Sequence, residues 1–154
     1  MKTPIEILVD EHKKILAEID ELENECQKLT NGGEIDRDFF SKKIDFIRDY
    51  ADNFHHAKEE DILFSELSKE NEGLKNGPIA QMLIEHDMGR AFVAGLQKGL
   101  EQNDKDKVIE NALGYAQLLK SHIFKEDNIL YPMAEDALSL EKQEEILKKF
   151  EEVK

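Results

Sequence analysis

Residues 55–64 read His-His-Ala-Lys-Glu-Glu-Asp-Ile-Leu-Phe, and residues 122–131 read His-Ile-Phe-Lys-Glu-Asp-Asn-Ile-Leu-Tyr. The two stretches align without a gap: His55 with His122, Lys58 with Lys125, Glu59 with Glu126, and the Ile-Leu-aromatic ends with each other. A second pair of stretches repeats in the same way. Thr3-Pro4-Ile5 leads after five residues into Glu11-His12, and Gly77-Pro78-Ile79 leads after five into Glu85-His86. The chain is therefore two copies of one pattern. Of the adjacent pair His55 and His56, only His55 has a counterpart, because Ile123 stands opposite His56.

Around these anchors apolar residues recur every three or four positions, the period of one helical face. Ile5, Leu8, Ile15, Ile19, Leu22, Cys26 and Leu29 form the first stripe, with His12 in its gap. Thr3 is placed to cap it, Pro4 to open it and Asn31-Gly32-Gly33 to end it. Phe40, Ile44, Ile47, Ala51, His55, Glu59 and Ile62 form a second stripe that runs to a break at Gly73 to Gly77. Ile79, Met82, His86, Gly89, Val93, Leu96 and Leu100 form a third. Val108, Ala112, Tyr115, Leu119, His122, Glu126 and Ile129 form a fourth, up to Pro132, which should stop or bend it. The spacing predicts helices over about 4–30, 37–70, 78–101 and 105–131, with a short fifth over about 139–152 capped by Ser139. Short connections make consecutive helices antiparallel. The expected fold is thus all-α, an up-down-up-down four-helix bundle with a C-terminal helix outside it, the 154 residues forming one domain.

Composition narrows the function. A formal charge of -14 would repel nucleic acid and anionic membranes, so neither is an expected partner. Cys26 is the only cysteine, which leaves no disulfide framework, CxxC pair or thiolate zinc site, and its place on the first stripe suits packing. No apolar run near Met1 is long enough for a signal peptide or membrane span, so the expected location is the cytoplasm.

The repeat also fixes height. His12 and His86 lie about two turns inside the starts of their helices, and His55 and His122 about three turns before the ends of theirs. In an antiparallel bundle those ends coincide, so the four imidazoles meet in one layer near an end of the core, with Glu59 and Glu126 one turn further along. One histidine on an apolar face is ordinarily a satisfied core residue. Four in a layer with two core glutamates are not, because an unpaired buried carboxylate costs several kcal/mol and no lysine or arginine stands at matching positions. Metal is the counter-charge that remains: two cations bridged by Glu59 and Glu126. Imidazole and carboxylate without thiolate suit iron, manganese or zinc, and open positions on each ion favour iron.

These residues resemble the hemerythrin-like family, the HHE cation-binding domains, over nearly the whole chain. The resemblance rests on His55-His56-x-x-Glu59-Glu60-x-x-Leu63-Phe64, on Glu85-His86-Asp87, on His12 and on His122-x3-Glu126. It implies two iron ions joined by an oxo or hydroxo bridge, with His12, His55, His86 and His122 as terminal ligands and Glu59 and Glu126 as bridging carboxylates. The third expected helix, about 78–101, departs from the oxygen-carrying members, which place two ligand histidines four apart there; this chain has only His86, between Met82 and Arg90. His56 would replace the missing one only if its helix rotated, and is read as a surface histidine or one standing behind the ligands. Glu60 and Asp127 are read as solvated or outer acids, Tyr115 as core, and Met82 and Gly89 as shaping the pocket. The last carboxylate is taken as Glu126, following the internal repeat, where hemerythrins would use Asp127.

The leading expectation is a non-haem di-iron protein that binds a small diatomic ligand, O2 or NO, with no catalytic residue assigned. Turnover of peroxide or NO at the same centre is the second reading. Iron sensing or iron donation for metal-centre repair is a third, disfavoured because those relatives often carry a cysteine-bearing N-terminal segment.

Overall fold

A computed structural model of the protein describes residues 2–154. Every regular element among them is helical. The first helix, α1 (Pro4–Thr30), is capped by Thr3, whose side chain accepts from the Glu6 amide, and it ends at Asn31 and Gly32, the latter at φ 102° where a β-carbon is disfavoured. After Asp36 caps it, α2 (Arg37–Phe46) continues without a break through two π-helical segments, Ile47–His55 and Lys58–Phe64, into α3 (Ser65–Glu70). A short turn, α4 (Glu72–Leu74), leads through a further π segment, Lys75–Ile79, into α5 (Ala80–Glu101). Asp104 caps α6 (Lys105–Lys125), which passes through the π segment Glu126–Leu130 into α7 (Tyr131–Ala137). Ser139 caps α8 (Leu140–Glu151), whose Glu141 start and Lys148-Lys149 end suit the helix dipole. None of these helices is long and apolar enough to cross a membrane.

Two expectations about helix ends are corrected. Gly73 to Gly77, expected as a break, is helical, and the chain interrupts itself only at Asn71, extended at φ -153° and ψ 104°, whose side chain recaps the next turn on the Leu74 amide. Pro132 neither stops nor ends the fourth rod, which continues through α7 to Ala137. A proline lacks the N–H that an α-helix would use, and the wider π turn just before it absorbs the mismatch.

The π turns also change which residues face inward. Ile129, expected on the buried stripe, is 51 % exposed, while Leu130 and Tyr131 are buried in its place. One extra residue in the turn delays the periodic face by one position. The same effect between Ile47 and Phe64 buries His55 and His56 together.

Packing divides into two apolar clusters. One gathers Ile15, Ile19, Leu22, Phe40, Ala51, Val93, Leu96, Ala112 and Leu119; the other gathers Ile5, Leu8, Leu63, Phe64, Met82, Leu130, Tyr131, Ile146 and Phe150. His12 stands between Leu8 and Ile15 on α1, and the other histidines and glutamates occupy the same step on their own rods. The polar layer therefore divides the core instead of closing one end of it. Close approach of α5 and α6 depends on small residues: a β-carbon on Gly114 would lie 2.4 Å from the Phe92 ring.

Ile146 and Phe150 of α8 pack into the second cluster, and one ion cluster fastens it from outside. Glu66 accepts from Lys142 (3.0 Å) and Lys149 (2.8 Å), which lower its pKa from an ordinary 4.5 to about 2. A depressed carboxylate stabilises the fold above pH 4.5 and loses that contribution as pH falls towards 2. Glu66→Gln should therefore cost about 1 kcal/mol at neutral pH, the lysines being partly in solvent. Thermal melts of the two proteins should converge on acidification through that window.

Candidate metal centre

Five histidines and two glutamates converge between the two apolar clusters. All are buried, Glu59 and Glu126 completely. Two groups can be distinguished, each with its donor atoms within 4.8 Å of one another: His56, Glu59, His86 and His122 in one, and His12, His55, Glu59 and Glu126 in the other. Glu59 belongs to both. Its Oε1 lies 3.2 Å from His55 Nε2 and 3.6 Å from His86 Nε2. Glu126 Oε1 likewise spans the groups, 3.2 Å from His12 Nε2 and 3.1 Å from His122 Nε2.

Each imidazole is oriented from behind by a carboxylate. Nδ1 of His12 meets Asp127 at 2.7 Å, that of His55 meets Glu11 at 2.8 Å, that of His122 meets Glu85 at 3.0 Å and that of His56 meets Asp52 at 3.2 Å, while His86 Nδ1 meets Glu60. An ionised carboxylate only accepts, so Nδ1 carries the proton and a neutral ring presents Nε2 as a lone pair. Carboxylate, imidazole and lone pair in line is the arrangement that fixes a histidine for a metal ion. The acids are braced in turn. Lys58 Nζ donates to Glu11 at 2.6 Å, Lys125 and Gln81 donate to Glu85, and Arg90 donates to Glu60 at 3.3 Å. Burial opposes ionisation of Glu11, but the His55 and Lys58 hydrogen bonds win and lower its pKa.

The inward atoms do not satisfy one another. His55 Nε2, Glu59 Oε1 and both oxygens of Glu126 have no hydrogen-bond partner, although oxygens and nitrogens lie only 3.1–3.2 Å apart. An Nε2 whose ring proton sits on Nδ1 and a carboxylate oxygen are both acceptors, so neither satisfies the other. His86 Nε2 and His122 Nε2 face each other at 3.1 Å with both Nδ1 atoms already bonded to acids. Two lone pairs at that distance repel unless a cation lies between them or one ring is protonated. The site does favour protons: burial works against the charge on His12 and His86, yet the acids around them raise both pKa values to about 10. His56 is the exception, held neutral well below the ordinary histidine range by burial and by the neighbouring His86. The donor set fits divalent or trivalent cations, since buried oxygens and nitrogens without partners are what such ions satisfy.

A sequence profile of the hemerythrin HHE cation-binding domain matches residues 3–134. The chain belongs to this family. Among curated proteins none gives a significant match. The HHE domain thus supplies four long rods with these histidines and glutamates, while α8 lies beyond the matched residues.

Against the sequence reading, the structure brings His12, His55, Glu59, His86, His122 and Glu126 into one buried layer. The reading of His56 as a surface residue is corrected: it is 4 % exposed and stacks on His86 at 3.7 Å between centroids. Its helix does not rotate as a whole; the π turns let adjacent residues face the same side. Glu60 and Asp127 stand behind histidines, the outer of the two roles expected for them. Glu11 and Glu85 enter the sequence reading only as part of the repeat and of the family motif, with no role assigned, and Tyr131 only as the end of an aligned stretch. The signal for the acids was present, since each directly precedes a histidine of the repeat.

Proposed function

We propose that the chain holds two iron ions in this centre and binds a small diatomic ligand, O2 or NO, there. His56, His86 and His122 would hold one ion and His12 and His55 the other, with Glu59 and Glu126 between them. The observation that carries the reading is the set of inward-facing lone pairs without partners, each imidazole aimed by its own carboxylate. Iron fits a donor set of imidazole and carboxylate without thiolate better than a structural zinc site would.

The iron pair, when bound, supplies reversible redox chemistry towards a small oxidising gas. The chain supplies everything around it. The two apolar clusters exclude water above and below the layer, which strengthens each electrostatic interaction inside it. The outer acids hold the Nδ1 protons, so that a cation displacing the inward ones would meet Nε2 lone pairs already aimed at it. The four rods would run up-down-up-down, so that each helix pair of the repeat contributes half of the donors, and the whole would act as one cytoplasmic domain.

Protein expressed with added iron should contain two iron atoms per chain and show an oxo-bridged absorption spectrum that changes reversibly on reduction and exposure to O2 or NO. A colourless, metal-free product would refute the reading. Steady-state consumption of peroxide or NO in the presence of a reductant, beyond stoichiometry, would replace the binding role with turnover.

A further inference from the structure

The repeat is broken at two places beside the centre: His56 aligns with Ile123, and Phe64 aligns with Tyr131. The second break leaves a mark on the carboxylates. Tyr131 is fully buried, its ring parallel to that of His12 at 5.4 Å. Its Oη lies 2.6 Å from Glu59 Oε2 and 3.4 Å from His12 Nε2. A phenol has one proton, and the shorter contact to a charged acceptor takes it. Glu59 is left with one unpartnered oxygen, Oε1, whereas Glu126 keeps two. Phe64 occupies the equivalent place in the other half, near-parallel to the His86 ring at 6.3 Å, and has no hydroxyl to give.

We propose that Tyr131 is a positioning residue that makes the two central carboxylates unequal, holding Glu59 Oε2 so that Glu59 offers one oxygen to ions at the two groups while Glu126 offers two. The inference rests on the two-ion reading above. Its consequence is a donor fewer on the side of His12 and His55, the side on which Tyr131 itself lies. Without the phenol, Glu59 would close on the ion with its second oxygen and occupy a position otherwise left to a small anion.

The test uses cobalt(II) as the ion and azide as the anion, with the full chain, Tyr131→Phe and Phe64→Tyr. Tyr131→Phe should still take up two cobalt ions, but with weaker d–d absorption as the coordination number rises, and with azide affinity lower by about tenfold, the small end of what partners behind metal ligands control. Phe64→Tyr brings a hydroxyl to the equivalent position near Glu126 and should move the d–d intensity in the opposite direction. Unaltered spectra and azide affinity in Tyr131→Phe would overturn the proposal, even with a lower melting temperature. Should that variant fail to fold, an unaltered Phe64→Tyr spectrum overturns it instead. Fewer than two cobalt ions in the wild-type chain defeats the two-ion reading and this proposal together, whereas two ions with an indifferent Tyr131→Phe defeats this proposal alone.

Discussion

Glu126→Gln should all but abolish uptake of a second metal ion while leaving the metal-free protein as stable as before, or more so. The two parts of this expectation have one cause. Glu126 is completely buried, and both its oxygens lack a hydrogen-bond partner. Without metal, such a group costs free energy that only nearby protonated histidines offset. A neutral amide of the same shape removes the buried charge, and with it the donor common to His12 and His122. If Glu126 is the donor shared by the two proposed ions, its loss should exceed the roughly 10–100-fold typical of partners one step removed. Calorimetric titration with ferrous or cobaltous ion, beside thermal melts of the metal-free proteins, measures both. A variant that binds two ions with wild-type affinity would remove Glu126 from the centre.

His56→Ile is expected to lower the affinity for one ion of the pair by about 100-fold or more while the other ion is still taken up. The substitution is the one the chain itself carries at the aligned position, where Ile123 on α6 is buried. A purely structural role for His56 therefore predicts a variant that folds and binds normally. A ligand role predicts one-ion stoichiometry at limiting metal, readable by metal analysis after gel filtration. Its buried, neutral ring stacked on His86 favours the second outcome, because metal ions require the unprotonated imidazole.

Much of this centre was legible in the residues themselves. The long helices followed from apolar spacing and the cap at Thr3, the C-terminal helix from the cap at Ser139, and the repeat picked out His55 over His56 as the partner of His122. The repeat left His56 either at the surface or behind the ligands, and its burial removes the first for a physical reason. Reading a helix at 3.6 residues per turn places neighbours about 100° apart, so two adjacent histidines cannot share a face. The π segments relax that rule, and no residue type announces them. Ile129 was misplaced by the same turn geometry. Glu11 and Glu85 were marked by the repeat, but not their partners: each precedes one histidine in sequence and bonds a different one, His55 and His122, which only three-dimensional proximity reveals in a chain with 35 acidic residues.

Between Ile47 and Phe64 the backbone winds less per residue than an ordinary α-helix, so two consecutive side chains reach the same interior. The number of imidazoles this core can hold thus depends on how its second rod is wound as well as on which residues it carries. Ligand counts in related bundles should therefore be compared on the course of that backbone together with residue identity.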